Sequence, residues 1–155
     1  MNCLITTHWP SPEGMEVARN VYFNARRKSL PAIGDIVLIY EAETATVNGK
    51  RVTRAEMRYR GRREWVELPR GRGRIVGAVT VVGEPRGITD ENRVYDYGNL
   101  DEWSLVPCGA MREVREVSRG EVIEVLGKSG SNVRYWGLWK VPDEFVGELR
   151  EKLGV

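Results

Sequence analysis

Short apolar runs separated by turn-forming clusters run the length of the chain, and this rhythm predicts a mainly β protein that closes on one helix. Cys3 to Thr7 reads as a first strand, ended by Pro10, Ser11 and Pro12, with a short helical stretch around Glu13 to Arg19. From Arg19 to Leu30, aromatic and basic residues mix without a steady period. That predicts an irregular loop which presents side chains rather than packing them. Gly34-Asp35 then turns the chain into Ile36-Val37-Leu38-Ile39-Tyr40, a continuous β-branched run expected at the centre of a sheet with both faces covered. Asn48-Gly49 lies between β-formers from Thr46 to Val52 and predicts a hairpin. Met57 to Leu68 extends this arm as strands, and Pro69 to Gly73 returns it to the body.

Ile75 to Val82 predicts another buried strand, stopped by Gly83, Pro85 and Gly87. Arg86 to Asp101 is polar and turn-rich, Trp103 to Met111 resumes strand character, and Val114 to Leu126 is mixed. The terminal helix has the clearest signature. Pro142 is expected at its first position, Asp143 and Glu144 in its first turn, Phe145, Val146, Leu149 and Leu153 on one face, and Gly154 at its stop. Strands followed by a terminal helix, with no internal repeat, predict an α+β fold: a small, mostly antiparallel β-barrel with flanking short helices. At 155 residues the expected organisation is a single domain, 1–155, with a hairpin arm at about 44–74.

Composition narrows the setting. A hydrophobic content of 41% is ample for one core. No apolar run approaches the roughly 18 residues of a membrane span, and Met1 to Thr7 lacks the basic start and long apolar stretch of a signal peptide, so a cytoplasmic location without membrane contact is expected. Cys3, Cys108 and a single histidine make no metal-ligand pattern, so neither a metal nor a cofactor is expected.

Charge changes the picture more. Between Lys50 and Arg74 stand ten Lys/Arg against three Glu, out of 24 basic and 22 acidic residues in the chain. The small overall charge of +2 therefore hides a strongly basic arm and an acidic remainder. Arginine exceeds lysine there, with Tyr59 and Trp65 interleaved, a mixture suited to forked phosphate contacts and stacking on bases. The blander reading is a solvated, self-repelling hairpin set against the acidic stretch from Asp90 to Glu124.

Catalytic motifs fail on inspection. Gly71 to Gly77 resembles a dinucleotide fingerprint, but its third glycine falls one place late and it leads into a strand. Gly127-Lys128-Ser129 ends like a phosphate loop, but Val122 occupies the required glycine position. There is no nucleophile elbow, and His8 is the only imidazole available as a general base, so no catalytic residue is assigned. Aromatic residues instead gather near turns: Trp9 beside Pro10, Tyr22 and Phe23 in the loop, Tyr40 at a strand end, and Trp136 and Trp139 before the last helix. Rings at strand ends can wall a slot for a base, and Asn20 is placed to read its hydrogen-bonding edge. The alternative for each ring is an ordinary half-buried core position.

Arg19-Asn20-Val21-Tyr22, then Ala25-Arg26-Arg27-Lys28, then Ile33-Gly34-Asp35 leading into Ile36 to Tyr40, resemble the opening of EVE domains. Ile75 to Pro85 is similar to that family's next strand and its acidic-proline exit. Tyr135-Trp136-Gly137 and Val141-Pro142-Asp143-Glu144-Phe145 resemble its closing strand and final helix. The resemblance covers most of the chain apart from Thr44 to Arg74 and much of Arg86 to Leu126. It implies a PUA-like barrel, related in shape to YTH and ASCH domains, whose pocket takes up a modified base from DNA or RNA. By the same resemblance Asn20 and Tyr22 border the pocket, Tyr40 is the strand-end aromatic and Trp136 the closing-strand aromatic. Trp9 and Trp103 are further candidate walls from the reading of the residues themselves. The chain departs from the family in carrying Phe23 where a polar residue or glycine is usual, and in its longer, more basic arm.

The expected function is thus a non-enzymatic module that flips a modified, methylated base into an aromatic slot, within a restriction or RNA-modification assembly. Arg19, Arg26, Arg27, Lys28, Arg58, Arg60, Arg62, Arg63 and Arg72 are the candidate phosphate contacts. The alternatives are an RNA- or nucleotide-processing enzyme of ASCH-like type and a protein-interaction module that docks an acidic partner.

Overall fold

The computed structural model describes residues 1–10, 20–24, 30–47, 49–59, 62–87, 95–96, 103–127 and 139–155, with the backbone alone for 20–24, 47, 57–59, 62–64, 95–96 and 103. In chain order the strands are β1 (Cys3–His8), β2 (Asn20–Asn24), β3 (Ile36–Glu41), β4 (Ala45–Val47), β5 (Lys50–Val52), β6 (Arg54–Tyr59), β7 (Arg62–Glu67) and β8 (Arg74–Thr80). They continue as β9 (Arg86–Gly87), β10 (Tyr95–Asp96), β11 (Trp103–Pro107) and β12 (Trp139–Lys140); the helices are α1 (Arg119–Gly127) and α2 (Asp143–Leu153).

The central sheet runs β12-β1-β3-β8. β3 pairs parallel with β1 and antiparallel with β8 and is therefore central, and its apolar run is buried on both faces, as its sequence requires. Alternation along β3 divides the core in two. Ile36, Leu38 and Tyr40 join Cys3 and Ile5 of β1, Val122, Val125 and Leu126 of α1, and Leu149 and Leu153 of α2. Val37 and Ile39 join Leu4, Val79, Val81, Val106 and Cys108 on the other face. One face of the sheet therefore packs on helices and the other on β11.

Asp35 fastens the start of β3. One carboxylate oxygen accepts the Asn2 N–H and the other the Ala32 N–H, both at 2.9 Å, while the Asp35 carbonyl accepts the Val81 N–H. The free edge of β8 is covered by the segment after β11, through bridges Val81 to Cys108, Ala78 to Arg112 and Arg74 to Ser118. Among the described residues the strands form four sheets and no closed barrel. The fold is α+β with mostly antiparallel strands, and no helix among these residues is long and apolar enough to cross a membrane.

Three sequence expectations change. Asn20–Asn24, expected within an irregular loop, forms β2 because β11 supplies a five-residue antiparallel partner. The mixed stretch from Val114 to Leu126 contains α1, opened by a reciprocal cap in which Ser118 N–H donates to Glu121 Oε2 at 2.8 Å and Glu121 N–H donates to Ser118 Oγ at 3.2 Å. These bonds hold the Glu121 carboxyl below its ordinary range. Pro142 is the N-cap of α2 rather than its first helical residue, with φ −55° and ψ 135°. The expected helix around Glu13 to Arg19 lies outside the described residues.

The arm takes the expected form as two successive hairpins. β4 and β5 pair with Val47 opposite Lys50, which leaves a two-residue connection, and Gly49 has φ +77° as such a turn demands. β6 and β7 pair over six residues, from Arg54 opposite Glu67 to Tyr59 opposite Arg62, with β10 on the outer edge of β6.

Candidate nucleic-acid interface

Residues chosen from opposite ends of the sequence meet on one ladder. β11 lies between β2 and β9, with Asn24 opposite Trp103, Tyr22 opposite Leu105 and Asn20 opposite Pro107. Positions 20, 22 and 24 thus share a face of this small sheet with 103, 105 and 107. Arg86 pairs with Leu105 from the other side, placing one more basic residue, itself exposed, at the edge of the same sheet. Val106, which alternates with Leu105, is buried against the central sheet.

Two polar side chains lie on the face of β1 directed to that side. Thr6 and His8 alternate with Cys3 and Ile5, so they share the face of Leu4, and both are buried. His8 is 8% exposed, and neither imidazole nitrogen has a hydrogen-bond partner among the described residues. Burial lowers its pKa to about 4, so the ring is neutral at pH 7, one nitrogen a donor and the other an acceptor. Trp9 follows it, half-buried and engaged with its surroundings.

Tyr40 lies elsewhere. Its ring is 9% exposed within the helix-side core, on the opposite face of β3 from Ile39, and burial raises its pKa. Its evident work is to hold the end of β3 against the helices. Trp139, paired with Ile5, packs on the same core. Cys3 is buried there too, and burial pushes its thiol up to about 11, with Arg150 opposing, so it is an inert packing group.

The root of the arm is tied to the end of β3. The Arg72 N–H donates to Glu41 Oε1 at 2.7 Å with its guanidinium 3.5 Å from the same oxygen, Arg70 reaches Glu43 at 3.4 Å, and the Gly71 N–H donates to the Glu43 carbonyl. The Arg70–Glu43 pair is exposed and contributes under about 1 kcal/mol, the Glu41 side chain is largely covered, and each pair sets one carboxylate against one guanidinium at the root of the arm. Arg58, Arg62 and Arg63 occupy the outer half of the β6–β7 ribbon, with Arg58 and Arg63 directly opposite. Arg19, Arg26, Arg27, Lys28, Arg60 and Trp136 lie outside the described residues.

Two features were not assigned to the site from sequence. From sequence His8 reads as a turn residue beside Pro10 or as a lone general base, and its place among alternating β1 residues is the signal for its burial. Trp65, noted within the basic run, is 64% exposed beneath Arg54. Comparison with protein-family models, with curated proteins and with solved structures returned no match.

Proposed function

We propose that this chain is an EVE-type reader of modified nucleic acid, which takes one extruded base into a slot bordered by Asn20, Tyr22, Trp103, Trp136 and Trp9 while the arginine-rich arm holds the phosphates. The observation that carries the reading is the β2–β11 ladder: it gathers Asn20, Tyr22 and Trp103 on one sheet although 80 residues lie between Tyr22 and Trp103. The reading entails a PUA-like barrel. The Val81 to Cys108 bridge, with Val82 N–H donating to the Pro107 carbonyl and Gly109 N–H to that of Thr80, supports such curvature by joining β8 to the end of β11.

Affinity and selectivity then reside in different residues. Phosphate contacts by the arm are indifferent to base identity and weaken with salt. A methyl group enclosed by rings adds roughly 1 kcal/mol by area, or about fivefold in affinity. Titration of methylated and unmodified oligonucleotides at two salt concentrations is expected to give parallel losses with salt and a constant ratio near fivefold. Tyr22→Ala is expected to bring the ratio to one. Equal affinity for both oligonucleotides in the parent protein removes the slot, and degradation of the oligonucleotide in magnesium would favour an ASCH-like enzyme instead. A cytoplasmic modification or restriction assembly is the setting proposed for such a module.

A further inference from the structure

Trp65 is the most exposed aromatic residue among the described side chains, at 64%, and it stands on the outer face of the β6–β7 ribbon. The register fixes that face. Arg54 lies opposite Glu67 and Glu56 opposite Trp65, all four exposed, whereas Ala55 on the alternate face is buried at 5%. Positions 54, 56 and 58 therefore share one face of the ribbon with 63, 65 and 67, so position 65 stands between Arg54 on one side and the Arg58 and Arg63 positions on the other.

Arg54 is held in place. Its Nε donates to Glu67 Oε1 at 2.9 Å, and its guanidinium carbon stands 5.3 Å from the centroid of the Trp65 ring. The pair is a cation–π contact that turns the ring into a prearranged platform while leaving most of it in water. Glu56 and Glu67 share the face, yet Arg54, Arg58 and Arg63 outnumber them, and Lys50 and Arg51 stand exposed on β5 just before. A large exposed ring set among arginines matches a ligand that is both anionic and aromatic. It does not match a lipid surface, for which this patch has too few apolar neighbours.

We propose that Trp65 is a stacking platform for an unpaired base of single-stranded nucleic acid, with Arg54 closing the ring and the neighbouring arginines on the flanking phosphates. An exposed indole reaches a base face only where that base has left the duplex stack, so the ligand is a single strand or a displaced one. Stacking of this kind is tolerant of sequence and of methylation, which sets it apart from the slot at β2 and β11. The proposal rests on the nucleic-acid reading of the chain but not on that slot.

The test measures the affinity of the full chain for an unmodified thymidine oligonucleotide and for a duplex of equal length. Trp65→Ala is expected to lower affinity for the single strand about tenfold, with Trp65→Phe retaining most of it, little change for the duplex, and an unchanged dependence on salt because no charge is removed. Unchanged single-strand affinity in Trp65→Ala, or an equal loss for the duplex, overturns the proposal. Poly-glutamate binding as tightly as the oligonucleotide, and with the same dependence on Trp65, also overturns it in favour of an acidic protein partner. Urea unfolding of the variant checks that an exposed substitution leaves the fold intact. Running Tyr22→Ala beside it on methylated and unmodified oligonucleotides separates the two claims, since a methyl preference that survives Tyr22→Ala removes the slot alone, and single-strand affinity that survives Trp65→Ala removes the platform alone.

Discussion

Gly71→Ala is expected to destabilise the protein by roughly 3 kcal/mol, because the added methyl has nowhere to go. A Cβ built at Gly71 falls 1.8 Å from the Ala42 carbonyl oxygen, 2.9 Å from its carbonyl carbon and 3.0 Å from Pro10 Cγ. Backbone cannot swing aside as a side chain can, so the segment at Gly71, between β7 and β8, must leave the end of β3. Doing so breaks the 2.8 Å hydrogen bond from the Gly71 N–H to the Glu43 carbonyl and draws Arg70 and Arg72 from their carboxylates. Gly147→Ala is the contrast within the same chain. It lies in α2 with open space around its Cβ position, and there the methyl is expected to stabilise by about 0.5–1 kcal/mol through helix propensity. Urea midpoints for the two variants, with unchanged slopes, check both statements. A Gly71→Ala midpoint matching the parent would mean that the arm root does not press on Ala42.

Sequence alone made much of this framework legible, and the reasons are local. Ile36 to Tyr40 is so apolar that it had to be central. Asn48-Gly49 demanded its hairpin, and Pro142 to Gly154 carried start, face and stop signals for α2 at once. What escaped depended on partners far along the chain. Nothing between Asn20 and Asn24 shows a strand period, and that segment becomes β2 only because β11 lies beside it. The helix α1 was within reach, since Ser118-Arg119-Gly120-Glu121 is a capping box, but Gly120 and the acidic and apolar mixture after it hid the helical face. At the site, the basic character of the arm was readable from composition. The burial of Tyr40 in the helix-side core was not, because an aromatic at a strand end looks the same in sequence whether it lines a slot or seals an interior.

Acidification from pH 7.5 to 5 is expected to cost about 2 kcal/mol of stability through His8 alone. The imidazole is 8% exposed with no hydrogen-bond partner among the described residues, and burial lowers its pKa from 6.5 to about 4. In the unfolded chain it takes up a proton as pH falls through 6.5, while the folded chain resists until about 4, so the unfolded state binds more protons across that window. Stability is therefore full above pH 6.5, declines on the way down, and levels off below about 4 with a total loss on the order of 3 kcal/mol. His8 is the chain's single histidine, so between pH 7 and 5 few other side chains interfere. Urea midpoints at pH 7.5 and 5 check the slope, and His8→Leu is expected to flatten it. A parent protein equally stable at both values would place the ring in contact with water or an acidic partner.

The most direct measurement uses a duplex oligonucleotide with 2-aminopurine beside the methylated base, titrated with the full chain. Fluorescence is expected to rise on binding as the neighbour loses its stacking partner, and to stay low with the unmodified duplex or with Tyr22→Ala. Saturable binding of the methylated duplex with no rise in fluorescence would contradict the account, since the base would then still lie within the helix.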